Sequence, residues 1–119
     1  MKVFLDEGVP ERLGYYLPGH DVESVGSLGW KGTRNGKLLA AVEAASFDVV
    51  ITNDKQMEAQ QRLLRRPFAV LVLSATNWPV IEPYVARIAE AVGCCVAGTV
   101  TRIECGRFVP AKFRRDAPI

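Results

Sequence analysis

The chain is expected to fold as one α/β domain, a three-layer α/β/α unit around a mainly parallel sheet, and three observations carry that expectation. Short apolar runs alternate with longer stretches of helical period, the order that builds a parallel sheet covered by helices. The run Val49-Val50-Ile51 shows no polar alternation, as in a strand buried on both faces. Acidic residues stand where two such strands end: Asp6-Glu7 after Val3-Phe4-Leu5, and Asn53-Asp54 after Ile51-Thr52.

The elements follow in order. Residues 2–5 read as a buried first strand. A first helix is expected over Pro10–Leu17, with proline near its start, where a missing N–H costs little, and Leu13, Tyr16 and Leu17 on one face. Pro18-Gly19 ends it, and Asp21–Val25 makes a second strand. Ser27–Thr33 reads as a glycine-bearing loop containing Trp30. Asn35 is a suitable N-cap for a second helix to about Ala45, with Leu38, Leu39, Val42 and Ala45 turned inward. Phe47–Thr52 is the third strand, Lys55–Leu64 a third helix ended by Arg65-Arg66-Pro67, and Phe68–Leu73 the fourth strand. Pro79–Val92 reads as one helix carrying Ile81, Val85, Ile88 and Ala89. Thr99–Val109 reads as a terminal strand or hairpin turning at Cys105-Gly106. Residues 1–119 form a single domain, with 110–119 a basic, poorly ordered tail.

Composition narrows the function. A length of 119 residues suits one domain with a real core, and 49% hydrophobic with 24% charged residues is the balance of a soluble globular protein. No run approaches the roughly twenty apolar residues of a membrane span, and no signal-peptide pattern opens the chain, so a cytoplasmic protein without membrane contact is expected. A net charge of +2 does not by itself imply nucleic acid. Its distribution offers two readings for Arg62, Arg65 and Arg66, and for Arg102, Arg107, Lys112, Arg114 and Arg115: a track for phosphates, or a solvated helix end and a frayed tail. Cys94, Cys95 and Cys105 contain no CxxC pair, which removes a zinc ribbon. The single histidine, His20, removes a histidine-rich metal site and a Ser-His-Asp triad, and its setting in Pro18-Gly19-His20-Asp21 is that of a turn. Neither GxGxxG nor GxxxxGK[ST] occurs.

The acids are more informative. Parallel strands deliver Asp6 and Asp54 to one carboxyl edge, where open α/β sheets bind ligands. Carboxylates gathered there repel one another unless a hard divalent cation or strong donors occupy the crevice. The structural alternative makes both aspartates helix caps.

Taken together, Phe4-Leu5-Asp6-Glu7-Gly8-Val9-Pro10, Gly29-Trp30-Lys31-Gly32, Asn35-Gly36-Lys37-Leu38-Leu39, Phe47–Lys55 and Gln60-Gln61 resemble the PIN-like domain proteins of the DUF5615 group, over roughly residues 1–105. Relatives of PIN domains are metal-dependent ribonucleases, many of them VapC-type toxins held by an antitoxin. The resemblance therefore implies an RNA substrate, Mg²⁺ or Mn²⁺ as cofactor, a small antitoxin partner and a homodimer. Asp6 and Asp54 would be the metal ligands, Glu7 a further catalytic acid, and Thr52, Asn53 and Lys55 would orient water or phosphate. Oxygen ligands and retained waters suit magnesium, so two or three carboxylates suffice. One departure stands out. Relatives commonly carry an acid at the position of Lys37. Either Lys37 faces solvent, or its ammonium enters the crevice, displaces the cation and leaves a domain that acts only by binding protein or RNA. A phospho-acceptor receiver, the third class, wants a lysine after the last core strand, and none follows Leu73-Ser74-Ala75-Thr76.

Overall fold

The computed structural model describes residues 1–33, 35–55 and 66–106. Five strands form one all-parallel sheet: β1 (Lys2–Leu5), β2 (Asp21–Ser24), β3 (Val49–Thr52), β4 (Ala69–Leu73) and β5 (Val100–Ile103), in the order β2-β1-β3-β4-β5. Around them lie a 3₁₀ helix (Glu11–Tyr16) and the α-helices α1 (Val25–Leu28), α2 (Asn35–Ala44), α3 (Trp78–Ile81) and α4 (Val85–Cys94).

The three layers follow from the two-residue period of a strand. Val3, Leu5, Val49, Ile51, Leu71, Leu73 and Ile103 point to one face and pack with Leu13 and Leu17 around the 3₁₀ helix, Ile81 of α3, and Ile88 and Val92 of α4. Phe4, Val50, Val70 and Val72 point to the other and meet Val25 of α1 and Leu38, Leu39 and Val42 of α2. Both faces of β3 and β4 are buried along their full length. That is why these runs lack alternation.

Three expectations change. The first helix is 3₁₀, not α: Gly14 in its middle is a poor α-helix former. It also lies tight on β2, since a Cβ there would stand 3.3 Å from Val22 Cγ1. Val25 leaves the second strand, because Ser24 caps a one-turn helix inside the expected loop. Ser24 Oγ accepts from the Ser27 N–H at 3.1 Å while Ser27 Oγ accepts from the Ser24 N–H at 2.8 Å, and Gly29 (φ 72°) closes the C-terminus. The expected Pro79–Val92 helix is split by a 3₁₀ turn, Glu82–Tyr84. Pro83 is the cause, since it has no N–H and its ring collides with the carbonyl four residues back. The terminal strand expected within Thr99–Val109 forms as β5, a parallel edge strand on β4 with Leu73 beside Ile103; residues 107–109 lie outside the described residues. Most of the expected Lys55–Leu64 helix and the 110–119 tail do so as well.

Candidate active site at the sheet switch point

The strand order turns back on itself between β1 and β3, the place where open parallel sheets leave a crevice beyond their carboxyl ends. Register then determines what meets there. Leu5 pairs with Ile51, so Asp6 and Thr52 are the next neighbours and their side chains leave the sheet on the same face. The Asp6 N–H continues the ladder by donating to the Ile51 carbonyl at 2.9 Å.

Thr52 is the one polar residue in the core of the described chain, fully buried at 0% exposure. Its hydroxyl donates to Asp6 Oδ2 at 2.7 Å and accepts from the Asp54 N–H at 3.0 Å. One buried oxygen thus links the two aspartates across neighbouring strands. A buried hydroxyl must use its hydrogen-bonding capacity, and here it does so on the Asp6 carboxylate and the Asp54 backbone N–H. Asp6 Oδ1 accepts from the Glu7 N–H at 2.8 Å, so the carboxylate is oriented by two donors and keeps a second lone pair on each oxygen. Asp6 does not cap the following helix, whose cap position is Pro10. Asp54 is exposed, and residues 56–65 lie outside the described residues.

The remaining expected residues lie around this core. The Asn53 amide donates to the Gly8 carbonyl, tying the loop after β1 to the end of β3. Gly8 has to be glycine for that contact, because a Cβ there would stand 2.3 Å from Asn53 Oδ1. Glu7 is exposed at the lip, and Lys55 is exposed beside Asp54. Lys37 is exposed in the first turn of α2 and is absent from the described residues that line the acidic crevice. Lys31 lines it instead, together with Asp6, Glu7 and Glu11. Sequence reasoning passed over Lys31 because it sits in a loop without periodicity, and over Glu11 because it reads as an ordinary acid in a helix's first turn.

Glu11 Oε1 accepts from the Ser24 hydroxyl at 2.8 Å, and Glu23 Oε2 from the Ser27 hydroxyl at 2.7 Å. Trp30 is packing: its ring stands 5.6 Å from Phe4 and 6.3 Å from Phe47. Arg66 forms an ion pair with Glu43 at 2.6 Å, whereas Arg62, Arg65, Gln60 and Gln61 lie outside the described residues. After β5 the chain carries Glu104 and Cys105, not the lysine of a receiver.

Among the described residues that line the crevice, the metal-ligating side chains are the carboxylates of Asp6, Glu7 and Glu11, all hard oxygen, and Asp54 is not one of the lining residues. Such oxygen donors fit magnesium or manganese, which need only one or two carboxylates beside waters and substrate oxygens. Among the described residues no three His, Cys, Asp or Glu side chains are grouped closely enough to hold a metal ion by themselves. No helix among them is long and apolar enough to cross a membrane. Comparison with protein-family models, with curated proteins and with solved structures returns no match.

Proposed function

We propose that this chain is a metal-dependent ribonuclease of toxin type, hydrolysing RNA phosphodiesters at the Asp6–Asp54 pair under the control of a partner antitoxin. The observation that supports the reading is the buried Thr52 hydroxyl, which ties the Asp6 carboxylate to the backbone N–H of Asp54 at the switch point. Asp6 and Asp54 would hold Mg²⁺ or Mn²⁺, and the bound ion would supply charge neutralisation at the phosphoryl oxygens and a more acidic water. Thr52 and the Glu7 N–H keep the Asp6 carboxylate aimed. The Lys31 ammonium, at the wall of the crevice, offsets phosphate charge. Glu7 takes the proton of the attacking water, whose oxygen bonds phosphorus as the ester P–O bond breaks; the departing oxygen is protonated from solvent. RNA as substrate and an antitoxin as regulator rest on the family resemblance.

A second reading, a domain that binds without hydrolysing, is favoured by the same Lys31. Lys31 lines the crevice with Asp6, Glu7 and Glu11, and its ammonium, once turned into it, would stand in for a cation. The deciding experiment is a calorimetric Mn²⁺ titration of wild type, Asp6→Ala, Asp54→Ala and Lys31→Ala, followed by RNA cleavage with and without chelator. Saturable binding lost in both aspartate variants supports the nuclease. Binding gained only in Lys31→Ala supports the second reading, and no binding in any variant removes the metal site altogether.

A further inference from the structure

Glu11 and Ser24 line two cavities at once: the acidic crevice, and a groove of about 560 Å³ that runs beside the edge strand β2. That volume lies within the range of about 300–1,000 Å³ usual for small-ligand sites. The groove changes character along its length. The 3₁₀ helix runs back from the carboxyl edge of β1 toward the start of β2, so Glu11 lies at the carboxyl edge, and Tyr15 lies toward the end where His20 precedes β2. Gly14 and Val22 line the middle.

At the carboxyl edge, the Glu11 and Glu23 carboxylates each accept a serine hydroxyl and have further acceptor capacity. Ionised carboxylates only accept, so this end selects a ligand's donors. Glu11 reaches its position over Gly26, where a Cβ would stand 2.7 Å from Glu11 Oε1. Toward the other end Tyr15 is 89% exposed, an aromatic ring presented to solvent where burial would be usual. Three residues per turn align Arg12 with Tyr15 on the rim, and the Arg12 guanidinium is carried over the Trp78 ring, 5.1 Å from its centroid.

We propose that this groove is the subsite for the unpaired nucleotide adjoining the scissile phosphate, with Tyr15 stacking on its base and Glu11 accepting its 2′-hydroxyl. The inference rests on the ribonuclease reading. With a phosphate in the crevice against Lys31, the attached sugar falls at Glu11, which with Ser24 is common to both cavities. The 2′-hydroxyl is the donor that separates RNA from DNA. Tyrosine stacking tolerates any base, and Arg12 on the rim suits the next phosphate. A cationic protein segment would also suit the two glutamates, but the Arg12 guanidinium on the rim repels it.

The test is fluorescence anisotropy with a short labelled ribo-oligonucleotide and its deoxyribo counterpart, in chelator so that no strand is cut. Wild type binds the ribo form roughly tenfold more tightly, the scale of one hydrogen bond to a charged group. Tyr15→Ala weakens both by roughly 5- to 150-fold, Tyr15→Phe restores them, and Glu11→Ala erases the ribo preference. Both positions are exposed, so circular dichroism of the variants should match wild type. Equal binding by Tyr15→Ala and wild type overturns the subsite, and so does failure of wild type to bind the ribo form. Tyr15-dependent binding of an oligo-arginine peptide in place of RNA overturns it in favour of a protein segment. The Mn²⁺ titration runs separately. Metal binding with Tyr15-insensitive RNA binding sinks the subsite alone, whereas Tyr15-dependent RNA binding without metal supports the subsite and sinks hydrolysis.

Discussion

Thr52 and Ser74 occupy comparable places, each a hydroxyl at or just past the carboxyl end of a central strand, yet they serve opposite ends. Thr52 bonds a carboxylate on one side and a backbone N–H on the other. Ser74 bonds backbone on both sides: its hydroxyl donates to the Cys105 carbonyl at 3.1 Å and accepts from the Cys105 N–H at 2.6 Å, while its own N–H donates to Ile103 at 3.1 Å. The β4–β5 end is thereby closed over a buried cysteine, and the β1–β3 end is left holding charge at the surface. The lesson is that a hydroxyl at a strand end takes the function of its neighbour: beside backbone it is a staple, beside an acid it is a positioning device.

The comparison breaks most visibly at Thr52. Thr52→Val keeps the shape but removes both bonds, leaving the Asp54 N–H and one Asp6 oxygen short of a partner. A stability loss of about 1–3 kcal/mol by urea denaturation is expected, together with weakened Mn²⁺ binding; Thr52→Ser should recover both. Weakened stability with unchanged metal affinity would reduce Thr52 to a staple like Ser74.

Ser74→Ala provides the matching control. It should cost about 1 kcal/mol and speed hydrogen exchange at Ile103 and Cys105, while Mn²⁺ affinity stays at the wild-type value. A metal effect from this end would mean the two ends are coupled.

Thiol chemistry sharpens the same contrast. Burial raises the Cys105 thiol above its ordinary value of 9.0, and the neighbouring Glu104 carboxylate raises it further; Cys95 is raised as well, chiefly by burial. The unfolded chain therefore loses these protons first, and the stability they contribute is complete below the unfolded value and is lost as pH rises through the folded one. Melting temperature should fall above pH 9 in wild type and fall less in Cys105→Val. At neutral pH iodoacetamide should modify exposed Cys94 first and Cys105 last, as mass spectrometry would record.

The smallest effect concerns a third serine, at the opposite edge of the sheet. Ser46 ends α2 at φ 61°, donating its N–H to Glu43 while Phe47 donates to Val42, a Schellman closure with a residue other than glycine in the left-handed position. Ser46→Gly relieves that conformation and should raise stability by about 0.5–1 kcal/mol. It should leave metal and RNA binding alone, since Ser46 is not among the described residues that line the crevice or the groove.

Much of the fold was legible before any coordinates. The unbroken Val49-Val50-Ile51 and Ala69–Leu73 announce strands covered on both faces, and the structure buries every residue of both. What misled was local: Gly14 and Pro83 each interrupt a helix whose apolar spacing continues through them, so periodicity alone overstates its length. The candidate site was legible in part. Asp6 and Asp54 stand out because acids after apolar runs are conspicuous, whereas Lys31, Glu11 and Glu23 sit on a loop, a 3₁₀ helix and an edge strand, where a charge is ordinary.

The sequence by itself determined that this chain is α/β with a parallel sheet and that acids directly follow two of its apolar strands. Pattern and residue type are local properties, so one dimension suffices to record them. Only the tertiary structure decided that the sheet reverses between β1 and β3, that register sets Asp6 beside Thr52, and that Lys31 rather than Lys37 lines the acidic crevice. Those facts depend on strand order and on the close approach of segments far apart in the chain, held by hydrogen bonds and packing that no local pattern encodes.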